Sequence, residues 1–96
     1  MLVLVSYDVS TITKEGRSRL RKVARTCQGY GQRVQLSLFE CLVDNAQWEV
    51  FKGELLDQIN LAEDSLRCYF LGNRWRGKVE HFGTKDTIDL DGPLVL

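Results

Sequence analysis

An α+β fold, in which two helices cover one face of a single sheet, is predicted for this chain of 96 residues by three features. The first is the run from Leu2 to Tyr7, which is apolar at odd and even positions apart from Ser6, as is typical of a central strand. The other two are stretches that begin near Thr13 and Asp44 and repeat apolar residues at helical spacing. The chain is short enough for one core, so we predict a single domain over residues 1–96.

The first helix is predicted to begin after a cap at Thr11 or Thr13 and to continue to about Cys27. Gly29 and Gly31 are expected to end it in a turn. The residues of its core-facing stripe are Leu20, Val23, Ala24 and Cys27.

The next segment is predicted to hold two strand segments separated by a bend. Val34, Leu36 and Leu38 alternate with polar residues, but from Phe39 onward the apolar residues take the other phase. Because a pleated strand cannot change its phase by itself, we expect a bulge or a tight bend near Leu38 and Phe39.

The second half of the chain is predicted to supply one helix and two strands. Residues 44–47 resemble a capping box, and the stripe of the helix that follows is Trp48, Phe51, Leu55 and Ile59. A strand at 66–71, a turn at 73–78 and a short strand at 79–82 come next. This order is that of a ferredoxin-like βαββαβ sandwich with an extra short C-terminal strand. Since two helices cover only one face of a sheet, a second copy of the chain is the simplest cover for the other, and we predict a homodimer.

Charge and cysteine usage narrow the functional classes. Residues 1–40 carry seven basic and three acidic residues, whereas residues 41–96 carry six and ten, which is a weak indication of a polyanion-binding face. The widely spaced Cys27, Cys41 and Cys68 lie in apolar stretches, as is typical of reduced buried thiols, so a cytoplasmic location is expected. The apolar run at the N-terminus is too short to span a bilayer, and no membrane role is expected.

Asp8 is the first candidate functional residue because it follows an apolar strand directly. A carboxylate in that position is a candidate ligand for Mg²⁺, which prefers oxygen ligands. A strand-end aspartate that accepts hydrogen bonds from the loop after it is the structural alternative. One carboxylate makes a poor metal site, whereas two copies of Asp8 brought together by a two-fold axis make a better one.

The predicted first helix carries most of the candidate nucleic-acid contacts. Arg17 and Arg21 lie on one flank of its core stripe and Arg19 lies on the other, and after Glu15 the helix has no further acidic residue before Cys27. Arginine forks pair well with phosphate oxygens, so we interpret these arginines, together with Arg33, as nucleic-acid-binding. A solvated helix face is the alternative interpretation.

Two further groups of residues were weighed for chemistry. Arg74 and Arg76 flank Trp75, an arrangement that favours base stacking beside phosphate contacts, although packing of Trp75 into the core explains it equally well. His81 is the only histidine and has no metal-ligating residue at the required spacing. A serine-type hydrolase is excluded because its base would have to be His81 alone.

Several blocks of the sequence, taken together, carry a specific resemblance. They are Ser6-Tyr7-Asp8-Val9 and the segments 16–23, 31–40, 66–73 and 78–83. These blocks resemble the small universal CRISPR adaptation protein family, the smaller of the two universal adaptation proteins, which is commonly described as the CRISPR-associated endoribonuclease. Leu38 departs conservatively from the valine that is usual in that family.

The resemblance implies a homodimer of ferredoxin-like subunits whose C-terminal strands, here in the tail 84–96, cross to the partner. It implies that the two Asp8 carboxylates share one Mg²⁺ at the dimer axis. It also implies three partners, namely the CRISPR integrase subunit, a double-stranded protospacer DNA and, for some members, single-stranded RNA.

The candidate catalytic residues are therefore Asp8 and Tyr7, with Ser37 and Phe39 at the border of the site. Two hypotheses stay open at this point. One is a metal-dependent endonuclease that acts on RNA or DNA. The other is a DNA-binding scaffold for spacer acquisition in which Asp8 is structural. A regulatory domain that senses a small molecule is not favoured, because the sequence has no matching pocket motif.

Overall fold

The computed structural model describes residues 1–71 and 79–84, in which one sheet is covered on one face by two helices. The strands are β1 (Leu2–Asp8), β2 (Gly31–Gln35), β3 (Leu38–Leu42), β4 (Ser65–Leu71) and β5 (Val79–Gly83), and the helices are α1 (Lys14–Tyr30) and α2 (Asn45–Gln58). The strand order is β2-β3-β1-β4-β5, and all neighbouring strands are antiparallel. The predicted ferredoxin-like α+β fold with one extra strand is confirmed. The predicted tail beyond Thr84 lies outside the described residues.

The core lies between the sheet and the two helices. Strand β1 is central, as predicted, and its Val3, Val5 and Tyr7 side chains are buried on the face toward the helices. Both helices contribute to the same cluster: α1 with Val23 and Cys27, and α2 with Trp48, Phe51 and Leu55. Burial of this apolar face is the main force that assembles the layers.

Helix α1 begins as predicted but ends later. The Thr13 hydroxyl accepts a hydrogen bond from the Gly16 amide at 3.0 Å and caps the helix. The predicted turn at Gly29 and Gly31 is wrong, because α1 continues to Tyr30 and its cap, Gly31, has an extended backbone that begins β2 directly. The last turn is held to α2, since the Tyr30 ring stacks on Phe51 with centroids 4.2 Å apart. Gly31 is required by close packing, because a Cβ there would lie 2.1 Å from the Glu40 carbonyl oxygen.

The predicted bend between β2 and β3 is present but lies earlier in the chain. A tight turn at Leu36 and Ser37 joins the two strands, and the register shifts between Arg33 and Gln35. Val34 is 41% exposed and Leu36 is 84% exposed, so their apolar alternation does not reflect burial. The position near Leu38 and Phe39 was wrong because a turn reverses the strand here, and the phase of each strand is then set separately.

Helix α2 follows the prediction closely. The Asp44 carboxylate accepts from the Gln47 amide at 2.7 Å, and the Gln47 side chain accepts from the Asp44 amide at 2.9 Å, which completes the capping box. Trp48 packs edge-on against Phe70 of β4 at 5.2 Å. Neither described helix is long and apolar enough to cross a membrane.

The face of the sheet away from the helices, here called the open face, has no helix against it in the part of the chain that the structure describes. One row across it consists of Leu42, Leu2 and Leu71, which are paired in register on β3, β1 and β4. Leu42 is 75% exposed and Leu71 is 42% exposed. Asp8 lies at the other end of β1, so the open face is apolar at one end and polar at the other.

Candidate functional site

Asp8 is the last residue of β1, and its side chain is exposed at the polar end of the open face. Its register partner on β4 is Ser65. Successive side chains of a strand point to opposite faces, so Asp8 shares its face with Ser6 and not with Tyr7. The strand therefore delivers one carboxylate to the edge of the sheet at a position open to solvent.

Tyr7 lies in the core on the helix side, and only 4% of the residue is exposed. Its ring stacks on Phe39 with centroids 6.2 Å apart, and its hydroxyl donates to the Leu36 carbonyl oxygen at 3.4 Å. Burial raises the pKa of Tyr7, aided by Cys27 and opposed by Arg33. The structure thus separates the two predicted catalytic side chains, and a catalytic role for Tyr7 stays a prediction.

The predicted border residues gather around Tyr7 at the turn between β2 and β3. Phe39 is fully buried, and the Arg33 guanidinium lies 5.2 Å from its ring centroid in a cation–π contact. The Ser37 carbonyl oxygen accepts from the Tyr7 amide at 3.1 Å. These residues form a structural cluster on the helix side, whereas Asp8 lies on the other face at the same end of the sheet.

Helix α1 presents an exposed cationic surface, here called the α1 basic surface. Its members are Lys14, Arg17, Arg21, Lys22 and Arg25, all of them exposed. The helix contains a single acidic residue, Glu15, and none of the five cations has an ion-pair partner within the described ranges. Arg17 donates to the Thr11 carbonyl oxygen at 3.1 Å. The surface is therefore unbalanced in charge, as a phosphate-binding surface requires.

Arg19 differs from the other arginines of α1, because its side chain is only 17% exposed. Its Nε donates to Asp64 Oδ2 at 2.9 Å, and its Nη2 donates to Glu63 Oε2 at 3.1 Å. The hydrogen bond to Asp64 is the main reason that the pKa of Arg19 is raised. The predicted contact of Arg19 with nucleic acid stays a prediction, but its guanidinium already has two carboxylate partners.

Asp64 was missed as an important residue by sequence reasoning, which took it as part of an acidic approach to a strand. It is fully buried and accepts from the Ser10 amide at 3.0 Å and the Asn60 amide at 2.8 Å, besides Arg19. Burial alone would raise the pKa of Asp64, but the hydrogen bonds from Arg19, Asn60 and Ser10 outweigh it, and the pKa lies below its usual value.

A second group that the sequence did not reveal lies on the open face near Asp8. Arg67 occupies the position of β4 two residues after Ser65, the register partner of Asp8, and is paired with His81 of β5. The Arg67 Nε donates to His81 Nδ1 at 3.3 Å. Only the cross-strand register, which the sequence does not print, places these two residues side by side.

Two aspects of the predicted site remain predictions. Arg74 and Arg76 lie outside the described residues. Within residues 1–71 and 79–84, no group of three or more histidine, cysteine or acidic side chains is arranged to hold a metal ion. A single chain thus offers Asp8 alone, and a site shared by two copies fits Mg²⁺, which commonly takes one or two carboxylates together with water and phosphate oxygens.

Comparison with known proteins adds a family to this geometry. The family model described as CRISPR associated protein Cas2 matches residues 1–79. The chain belongs to the Cas2 family. It is 58% identical over the full length of both chains to a CRISPR-associated endoribonuclease Cas2 of Chlorobaculum tepidum. It is 56% identical to a CRISPR-associated endonuclease Cas2 of Halalkalibacterium halodurans, with 99% of each chain covered.

Solved structures agree with this assignment to the Cas2 family. The crystal structure of Streptococcus pyogenes Cas2 at pH 6.5 matches with a TM-score of 0.71 and 51% identity, and the match covers 86% of this chain and all of the other. A hypothetical protein of Thermus thermophilus, TT1823, matches with a TM-score of 0.66 and 33% identity over 75% of this chain and 82% of the other. The resemblance that the sequence blocks predicted is confirmed.

Proposed function

We propose that this Cas2-family chain acts in CRISPR adaptation as a homodimer that binds nucleic acid through the α1 basic surface. The observation that carries this proposal is the charge of α1, where five exposed cations are accompanied by one acidic residue. Phosphate contacts of this kind supply most of the affinity of sequence-independent binding. A double-stranded protospacer is the proposed ligand, and single-stranded RNA is the alternative substrate.

The proposed homodimer uses the open face. Leu42, Leu2 and Leu71 form a continuous apolar row there, and the described helices leave it uncovered. A second copy of the chain is the proposed occupant, because the same apolar row on two chains is self-complementary across a two-fold axis. The crossing of the tail 84–96 and the contact with a CRISPR integrase subunit are supported by the family resemblance alone.

We further propose that Asp8 supports endonuclease activity that depends on Mg²⁺. Asp8 is exposed at the end of β1 on the face that the second copy would cover, so a two-fold axis can bring two carboxylates to one ion. When bound, the metal would stabilise charge on the scissile phosphate. The printed names of the relatives, endoribonuclease and endonuclease, support a nuclease, and Arg17 and Arg21 would hold the nucleic-acid backbone by charge-assisted hydrogen bonds.

The binding proposal is tested by titrating a short DNA duplex at several salt concentrations. We expect the logarithm of the affinity to fall linearly with the logarithm of the salt concentration, and Arg17→Gln to reduce the slope by about 0.9, the value for one phosphate contact. Lys52→Gln is the matched control, because it removes a cation that lies on α2 and pairs with Glu49 at 3.4 Å. Equal slopes for wild type and Arg17→Gln would contradict the proposal.

The nuclease proposal is tested with Asp8→Ala on RNA and DNA substrates, with and without Mg²⁺. We expect cleavage by the wild type to require the metal, and the variant to lose cleavage while it keeps its affinity for DNA. Undiminished cleavage by the variant would show that Asp8 is not the metal ligand. Absence of cleavage by the wild type, with salt-dependent binding intact, would establish the scaffold alternative, in which Asp8 is structural.

A further inference from the structure

Asp64 and Arg19 form a buried ion pair next to the backbone segment that follows Asp8. We propose that this pair positions Asp8 by fixing that segment, and that Arg19 makes no direct contact with nucleic acid. The positioning role rests on the function proposed for Asp8. The exclusion of Arg19 from the binding surface depends only on the geometry of α1 and the loops beside it.

The Asp64 carboxylate joins three parts of the fold. One oxygen accepts from the Ser10 amide in the loop between β1 and α1, at 3.0 Å. The other accepts from the Asn60 amide in the loop between α2 and β4, at 2.8 Å. Arg19 Nε completes the set from α1 at 2.9 Å. Because the carboxylate is fully buried, loss of any of these donors would leave charge without compensation.

The backbone around this carboxylate is packed tightly on both sides. A Cβ on Gly16 would lie 1.9 Å from the Ser10 carbonyl oxygen, so the first turn of α1 lies directly against Ser10. A Cβ on Gly83, whose φ is 112°, would lie 2.0 Å from the Asp64 carbonyl oxygen. Ser10 is thus held at its amide by Asp64 and at its carbonyl by α1, which leaves the chain little freedom two residues after Asp8.

The cross-strand register extends this restraint to Asp8 itself. Asp8 pairs with Ser65, the residue after Asp64, so the strand end and the loop after it are both fastened to one short segment of β4. A carboxylate that must meet a second carboxylate at a shared ion depends on such a fixed position. Asp64 therefore acts on Asp8 through the backbone, without touching it through its own side chain.

Charge explains why Arg19 is unsuited to direct phosphate binding. Its guanidinium donates to both Asp64 and Glu63, so the three side chains together carry one net negative charge. A phosphate would have to displace a buried carboxylate partner to reach it. Arg17, two residues earlier on the same helix, is exposed and has only the Thr11 carbonyl oxygen as a printed contact, so it is the matched comparison.

The first test compares the salt dependence of duplex DNA binding for Arg19→Gln and Arg17→Gln. We expect Arg17→Gln to lower the slope by about 0.9 and Arg19→Gln to leave it at the wild-type value. An equal reduction by both variants would overturn the exclusion of Arg19 from the binding surface. Arg19→Lys, which keeps the positive charge beside Asp64, serves as the second variant if Arg19→Gln fails to fold.

The second test measures amide hydrogen exchange in Asp64→Asn. The amide has one acceptor oxygen where the carboxylate has two, so its NH₂ group must face Ser10, Asn60 or Arg19. We expect exchange at the Ser10 or Asn60 amide to be at least tenfold faster than in wild type, and unchanged in Arg17→Gln. Wild-type exchange at both amides in Asp64→Asn would overturn the positioning role.

Cleavage assays complete the test. We expect Asp64→Asn and Arg19→Gln to lower the rate of Mg²⁺-dependent cleavage at least tenfold while DNA affinity stays at the wild-type value. Unchanged cleavage by both variants, with faster exchange at Ser10, would overturn the link to Asp8. If the wild-type protein does not cleave, the nuclease proposal itself fails, and the slopes and exchange rates still decide the roles of Arg19 and Asp64.

Discussion

Tyr7 and Asp8 are adjacent in β1 but belong to different environments, since the Tyr7 ring is buried against Phe39 and the Asp8 carboxylate is exposed on the other face of the sheet. The separation follows from the strand itself, in which neighbouring side chains point in opposite directions. The conserved order of the two residues in the polypeptide therefore says nothing about a shared site. Tyr7 closes the core beneath the strand end on which Asp8 lies.

Substitution of Tyr7 separates packing from chemistry. We expect Tyr7→Ala to lower the free energy of unfolding by about 3–5 kcal/mol, because it removes a buried aromatic ring. Tyr7→Phe should cost no more than about 1 kcal/mol, since the hydrogen bond that it removes is long, at 3.4 Å. Urea unfolding measures both values. Cleavage should persist in Tyr7→Phe, and its loss in a fully stable variant would establish the catalytic role predicted for Tyr7.

The buried Asp64 predicts a specific acid sensitivity. Its folded pKa lies below the usual value near 4, so its contribution to stability is present above about pH 4 and is lost as the pH falls through the folded pKa. We expect the stability difference between wild type and Asp64→Asn to shrink between about pH 5 and pH 3. Urea unfolding at each pH measures this difference. A difference that stays constant over that range would show that the carboxylate is not ionised in the folded protein.

How much of this structure the sequence predicted depends on the distance over which each signal acts. The helix stripes, the capping box at Asp44 and the central position of β1 were predicted, because each is a local pattern with its own period or motif. The separation of Tyr7 and Asp8 was also available from the strand period. The role of Asp64 was not, since its partners Arg19 and Ser10 lie 45 and 54 residues away along the chain.

The three cysteines should be inert in the folded protein. Burial raises the pKa of Cys27 to about 12 and that of Cys41 to about 11, and it raises the pKa of Cys68 further. The thiolate is the reactive form, so we expect a thiol reagent at about pH 8 to modify all three at the rate of unfolding. Absorbance of the released chromophore measures the rate, which should rise steeply with urea. Rapid modification of one thiol in native buffer would show local opening around it.

Two glycines of the same helix provide a matched pair for the packing against Ser10. Ala at Gly29 meets no atom within 4 Å, so Gly29→Ala should stabilise the protein by roughly 0.5–1 kcal/mol through helix propensity. Gly16→Ala brings the same gain, but its Cβ would lie 1.9 Å from the Ser10 carbonyl oxygen, a backbone atom held in place by Asp64. We expect it to destabilise the protein by about 1–3 kcal/mol in urea unfolding. Equal stabilisation by both variants would show that the loop after Asp8 can move away from α1, and would remove the rigidity on which the positioning of Asp8 depends.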